Sequence, residues 1–163
     1  MPDIPPLQIV LFEPEIPPNT GNLIRLCANT GAGLHLVEPL GFSLDEKALR
    51  RAGLDYHDTA RVQVHVSLSA CLETLDLART GGRVFAVTTK GAEAYYQTAY
   101  QPGDVLLFGP ETRGLPDEVL SDPAITARIR IPMRRDSRSL NLSNAVAILT
   151  YEVLRQLDYP GLA

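Results

Sequence analysis

The sequence predicts an α/β domain, a mostly parallel sheet covered by helices on both faces. Three observations predict it. Short apolar runs at Leu7–Phe12, Leu34–Val37, Val84–Val87 and Val105–Phe108 read as strands buried on both sides. Stretches with apolar residues at helical spacing lie between them, joined by short connections marked by Pro and Gly. Within its 163 residues the chain shows no internal repeat, no low-complexity tract and no linker. One domain over residues 1–163 is therefore expected, long enough to bury a sizeable core.

Taken in order, Leu7–Phe12 is the first strand, apolar apart from Gln8, and Pro14, Pro17 and Pro18 end it. Asn19 stands where an N-cap is expected, before a helix that carries Leu23, Ile24 and Cys27 and is closed by Gly31 and Gly33. Leu34–Val37 is the second strand, stopped at Pro39-Leu40-Gly41. Asp45–Arg51 is a short amphipathic helix ending at Gly53. Val62, Val64 and Val66 alternate with Gln63 and His65, which predicts a third strand nearer an edge. Leu68, Cys71, Leu72 and Leu75 make a helix that stops before Gly81-Gly82. Val84–Val87 is the fourth strand, and Gly91–Gln101 has no clear pattern. Val105–Phe108 is the fifth strand, Asp117–Leu120 a short helix, and Ile129–Ile131 the sixth strand, ended by Pro132.

The last helix, Asn141–Leu157, carries two apolar stripes. Leu142, Val146, Leu149, Val153 and Leu157 form one, and Ala145, Ile148, Tyr151 and Leu154 the other. A surface helix needs one stripe. The second predicts a partner, and a second copy of the chain is the default one.

Composition removes several functional classes. No apolar run approaches the length of a membrane span, and Met-Pro-Asp-Ile-Pro-Pro lacks the features of a signal peptide. Cys27 and Cys71 lie in apolar helical patterns and read as buried thiols in a reducing compartment, which points to the cytoplasm. His35, His57 and His65 show no metal-ligand spacing with one another or with the cysteines, so no metal site is expected. A net charge of −4 argues against a broad nucleic-acid-coating surface. The basic residues are nevertheless clustered, at Arg128, Arg130, Arg134, Arg135 and Arg138 and again at Lys47, Arg50 and Arg51. Thirteen of the fifteen are arginine, the side chain suited to bidentate phosphate contacts.

There is no glycine-rich dinucleotide fingerprint, no phosphate-binding Gly-Lys-Ser/Thr loop and no nucleophile elbow. Three polar clusters remain, each near the end of an apolar run. The first is Asn19-Thr20-Gly21-Asn22-Leu23-Ile24-Arg25, at a helix start that favours anions; as a bare pattern it is equally a cap and a solvent-facing arginine. The second is the stiff loop Phe108-Gly-Pro-Glu-Thr-Arg-Gly-Leu-Pro116, with Glu111 and Arg113 between its glycines and prolines. The third is Ile131-Pro132-Met133 followed by Ser137-Arg-Ser-Leu-Asn-Leu-Ser-Asn-Ala145. Ser139 or Asn141 caps the last helix, and capping alone does not use so many short polar residues.

In this order the three clusters resemble the three motifs of the SPOUT RNA methyltransferases. The match is closest to the TrmL/YibK branch, small 2′-O-methyltransferases of the tRNA wobble nucleotide. Further similarities lie at Phe12–Pro18, Leu26–Gly31, Arg50–His57 and Thr88–Gly91, so the resemblance runs from Ile9 to Gly161. It implies a trefoil knot in the C-terminal part, an exception to the rule that chains do not thread loops. It also implies an S-adenosylmethionine site made of three loops, around Val87–Gly91, Phe108–Gly114 and Ile131–Leu140. Val87, Gly109, Ile131 and Ser139 match the cofactor-contacting positions, with Leu140 beside them. Val87 and Ile131 would sandwich the adenine, and Gly109 would let the backbone approach the cofactor.

The implied reaction carries a methyl group from the sulfonium to a ribose 2′-hydroxyl and leaves S-adenosylhomocysteine. Arg25 matches the family's candidate for accepting the hydroxyl proton. A guanidinium is a poor base, and orienting the phosphate while stabilising the forming alkoxide is the other role open to it. Asn19, Glu111, Ser139 and Asn141 match the remaining polar positions of the active site. Glu111 receives the proton, orients Arg25, or pairs structurally with Arg113; Arg113 in turn binds phosphate or neutralises Glu111. The implied partners are a tRNA anticodon stem-loop and a second copy packed through the first and last helices, with no membrane and no added RNA-binding domain. The arginine clusters would contact phosphates, and Tyr56 or Tyr95 would stack on an unpaired base. The alternative is a catalytically silent RNA-binding dimer of the same fold.

Overall fold

The computed structural model describes residues 4–59, 61–91 and 93–163, with the side chains of all of these except Glu46, Tyr56 and His57. Among these residues seven strands form one sheet: β1 (Leu7–Phe12), β2 (Gly33–Val37), β3 (Val62–His65), β4 (Val84–Val87), β5 (Glu93–Ala94), β6 (Asp104–Phe108) and β7 (Ile125–Arg130). Their order is β3-β2-β1-β6-β4-β7-β5, and every neighbouring pair is parallel. The helices are α1 (Pro17–Thr30), α2 (Glu46–Arg51), α3 (Tyr56–Thr59), α4 (Leu68–Leu75), α5 (Leu77–Thr80), α6 (Asp117–Leu120) and α7 (Leu142–Gln156).

β1 and β6 read as continuous apolar runs because both faces are covered. Side chains alternate along a strand. Leu7, Ile9 and Leu11 therefore pack with Leu23, Ile24 and Cys27 of α1 and Val146, Leu149 and Val153 of α7. Val10 and Leu107 point the other way, to Leu68, Cys71 and Leu75 of α4 and Val119 and Leu120 of α6. β3 lies at an edge, as its alternation predicts.

Several boundaries differ from the sequence reading, each for a local reason. Asn19 is not the N-cap of α1; Ile16 is, and Pro17 and Pro18 occupy its first positions. Proline suits those positions because their N–H groups have no helical partner. Asn19 is thereby inside the helix and buried. The patternless segment holds the seventh strand, β5, followed by a single 3-10 turn at Tyr95–Gln97. β7 begins four residues earlier than the expected sixth strand and ends at Arg130. Its residues Ile125-Thr-Ala-Arg-Ile alternate between half-buried or buried and exposed positions, Arg130 is half-buried, and Ile131 falls just beyond the strand.

α7 follows the two-stripe reading in part. Leu142, Val146, Leu149 and Val153 are buried, but so is Leu154 of the second stripe. Ile148 and Tyr151 remain exposed, at 37% and 47%. α7 packs beside α1. Among the described residues no helix is long and apolar enough to cross a membrane.

Candidate active site

The carboxyl ends of β4 and β6, the segment after β7, and the starts of α1 and α7 enclose a cleft of about 460 Å³. Its position outside the carboxyl ends of parallel strands is where α/β sheets bind ligands, and its volume suits a small molecule. Val87, Gly109, Ile131, Ser139 and Leu140, the expected cofactor positions, all line it, as do Asn19, Glu111 and Asn141. Three loops far apart in sequence thus meet as the motif order implied.

One chain of hydrogen bonds builds the polar floor. Asn141 caps α7, its Oδ1 accepting from the backbone of Ser143 at 2.9 Å and Asn144 at 3.3 Å. Its Nδ2 is then left to donate, and it donates to Asn19 Oδ1 at 3.0 Å. Asn19 Nδ2 donates onward to Glu111 Oε2 at 3.2 Å. The two Glu111 oxygens also accept from the backbone N–H groups of Glu15 and Ile16, each at 2.8 Å. Ile16 offers no capping side chain, so Glu111 caps α1 from a distant loop, where a carboxylate also meets the helix dipole. The staple is reciprocal: the Thr112 backbone and hydroxyl donate to Glu15 Oε1 at 2.9 and 2.7 Å. Those bonds, with Arg113 nearby, hold the Glu15 carboxyl below the usual carboxylate range.

Two expected pairings of Glu111 are replaced. Arg113 reaches Glu13 at 3.3 Å and Glu15 at 3.9 Å, so it neutralises the loop after β1 and leaves Glu111 to the helix. Within the one chain Glu111 does not reach Arg25 either. Six residues of α-helix turn Arg25 roughly 120° away from Asn19. Arg25 lines a second cleft, between α1 and α2, and donates to the Gly53 carbonyl. Ser139 lies on the exposed rim with Leu140.

Gly109 has a structural reason beyond ligand approach. A Cβ there would lie 2.3 Å from the Leu115 nitrogen and 2.4 Å from the Gly114 carbonyl carbon. The loop therefore folds back on itself only with glycine at this position. The residues fit an S-adenosylmethionine on this structure's own terms: Val87 and Ile131 are half-buried apolar walls, Leu140 stands 40% exposed at the rim, and residues of three loops line the space between.

Of the arginine cluster, Arg134, Arg135 and Arg138 are exposed beside the rim. Arg128 is spent on the Leu120 carbonyl at 3.0 Å, and Arg130 is half-buried with its Nη1 lacking a partner. Tyr95 is half-buried and packs edge-on against Tyr96; the Tyr56 side chain lies outside the described residues.

Sequence reasoning missed three associations. His35, His65 and Cys71 place a ligand atom each within 4.8 Å of one another, although their spacing gave no sign of it. The strand pairing of β2 with β3 brings the histidines together. His35 Nδ1 meets His65 Nε2 and His35 Nε2 meets Gln8 Oε1, both at 2.9 Å, so the ring nitrogens of His35 are used within the protein. Burial pushes the Cys71 thiol up to about 12, against the thiolate a metal needs. The Glu13–Arg113 pair spans a hundred residues and had no local signal. Asp55 and Asp58 had one, acidic residues three apart that bracket the start of a short helix.

A parallel sheet thus carries a three-loop cleft whose floor links buried Asn19 to half-buried Glu111 and exposed Asn141. The chain belongs to the SpoU rRNA methylase family, whose model matches residues 6–151. It is 60% identical over 156 residues to the tRNA (cytidine(34)-2'-O)-methyltransferase of Yersinia pestis, covering 95% of this chain and 96% of that one. It also resembles a solved structure described as giving insights into the 2-OH methylation of C/U34 on tRNA, at 46% identity and a TM-score of 0.84 over 96% of this chain and 99% of the other. An AdoMet-bound rRNA methyltransferase from Sinorhizobium meliloti is 26% identical, with a TM-score of 0.75 over 96% of this chain and 58% of that one.

Proposed function

We propose that this protein transfers the methyl group of S-adenosylmethionine to the ribose 2′-hydroxyl of cytidine 34, the wobble nucleotide of tRNA, with a modified uridine at that position as a second substrate. The observation that carries the reading is the convergence of all three motif loops on one cleft, in a chain 60% identical over nearly its full length to an enzyme of that name.

S-Adenosylmethionine bound in the cleft would supply an electrophilic methyl group and leave as S-adenosylhomocysteine. Val87, Ile131 and Leu140 would enclose its adenine, with the Gly109 backbone and Ser139 giving polar contacts. Asn19 and Asn141, their amides fixed by Glu111 and by the α7 cap, would orient the ribose. Glu111 serves as the anchor of that floor: both its oxygens already hold N–H donors, which disfavours its taking the substrate proton. Arg25 would bind the target phosphate and stabilise the developing alkoxide as the hydroxyl proton passes to that phosphate or to water.

Arg25 faces away from the cleft of its own chain. A homodimer through α1 and α7 would bring one copy's Arg25 to the other copy's cleft, and the exposed Ile148 and Tyr151 support that packing. The exposed arginines beside the rim would position the anticodon stem-loop through its phosphates. We read residues 1–163 as one catalytic domain, knotted between β6 and α7 as the family resemblance implies and working in the cytoplasm where tRNA is modified.

The test is methyl transfer from labelled S-adenosylmethionine to tRNA by the wild type and by Arg25→Ala. Transfer that drops at least tenfold in the variant supports the reading. A wild type that binds tRNA regardless of cofactor and transfers nothing favours the silent RNA-binding dimer.

A further inference from the structure

Arg25, the basic side chain that the cleft does not hold, is itself held. Its Nη2 donates to the Gly53 carbonyl at 2.5 Å and lies 3.8 Å from Asp58 Oδ2. Gly53 lies in the turn that joins α2 to α3, and Asp58 in α3 itself. Gly53 stands at φ 78°, a left-handed position that glycine takes without strain. A Cβ on it would already lie 4.0 Å from Arg25 Nη2. Asp58 is oriented independently of Arg25. The Asp55 N–H donates to Asp58 Oδ2 and the Asp58 N–H donates to Asp55 Oδ1, both at 2.9 Å. The receiving site for the guanidinium is thus prebuilt by local hydrogen bonds.

Stability does not account for it. The Arg25 side chain is 54% exposed and Asp58 20%, and such a pair contributes little to folding. Orientation does account for it. Among the described residues the contacts of Arg25 all fall on Nη2, so the N–H groups of Nε and Nη1 stay open to further acceptors. A long flexible side chain loses rotamer freedom when it engages a ligand, and ordering it beforehand removes that cost from the binding step.

We propose that Asp58 and the Gly53 carbonyl are positioning groups for Arg25, holding Nη2 so that the remaining N–H groups of the guanidinium present to a phosphate of the RNA substrate. This rests on the reading above in which Arg25 serves the substrate. The pair does not touch the cofactor cleft, so its effect falls on RNA and not on S-adenosylmethionine.

A double-mutant cycle tests it. Affinity for an anticodon stem-loop RNA and single-turnover methyl transfer are measured for wild type, Asp58→Asn, Asp58→Glu, Arg25→Ala and Arg25→Ala with Asp58→Asn. Asp58→Asn is expected to weaken RNA binding or transfer roughly three- to fivefold, the scale of a partly exposed ion pair. S-Adenosylmethionine affinity and Tm should stay at wild-type values, Asp58→Glu should recover most of the loss, and Asp58→Asn should cost nothing more once Arg25 is alanine. Additive losses in the double mutant, a fall in cofactor affinity, or wild-type behaviour of Asp58→Asn beside a defective Arg25→Ala would overturn the proposal alone. A fully active Arg25→Ala would instead remove Arg25 from the mechanism, and the proposal with it.

Discussion

The Asn141 side-chain amide donates to the Asn19 carbonyl oxygen at 3.0 Å, joining residues 122 positions apart. The bond has only one polarity. Asn141 Oδ1 is taken by the α7 cap, and Asn19 Nδ2 is taken by Glu111. The start of the last helix, the start of the first and the loop after β6 are thereby registered to one another at the floor of the cleft.

Asn141→Asp separates capping from registration. The carboxylate still caps α7 and gains from the helix dipole, but it cannot donate to Asn19 and sets two acceptors against each other. We expect Tm within a few degrees of wild type and transfer reduced at least tenfold. Thermal unfolding and transfer assays on the same preparation check this.

Glu111→Gln tests the anchor. A carboxylate here accepts from two backbone N–H groups and an amide. A glutamine offers one oxygen and turns an NH₂ toward donors, leaving part of the α1 terminus unsatisfied. Stability should fall by about 1–3 kcal/mol in denaturant titrations, together with activity. Lost activity at unchanged stability would instead favour a direct chemical role for the carboxylate.

Ile148→Asp addresses the exposed strip of α7. Ile148 is 37% exposed, so a charge there leaves the monomer fold intact and opposes burial against a second copy. Sedimentation should show a dimer for the wild type and a monomer for the variant, with transfer lost.

Legibility in the sequence followed the range of the interaction. The strands of both core faces and the long helix α7 were legible because burial imposes a period on neighbouring residues. The residues that motif resemblance assigns to the cofactor line one cleft. Asn19 was misplaced as a cap because its true partners, Glu111 and Asn141, are distant in the chain. The two-residue β5 was missed because so short a strand carries no period. Arg113 was matched to Glu111 by proximity in sequence, whereas the fold sets it against Glu13 and Glu15.

The buried histidine pair sets an acid limit on stability. Burial, with His65 beside it, lowers the His35 imidazole from 6.5 to about 4. An unfolded chain takes up this proton near pH 6.5, while the folded protein refuses it until about pH 4. The contribution is complete above pH 6.5, is lost as pH falls toward 4 and levels below it. Its full size is about 3 kcal/mol. His35→Gln removes the titration, so urea unfolding at pH 7.5 and about pH 4 should show a smaller acid loss than in the wild type by that amount.

The most direct test of the central claim is to locate the methyl group. tRNA lacking the wobble modification is incubated with the protein and labelled S-adenosylmethionine, then digested and mapped nucleoside by nucleoside. The account predicts label on the ribose 2′-oxygen of nucleotide 34 and nowhere else. Label on a base or at another tRNA position, or no label on tRNA at all, would contradict it.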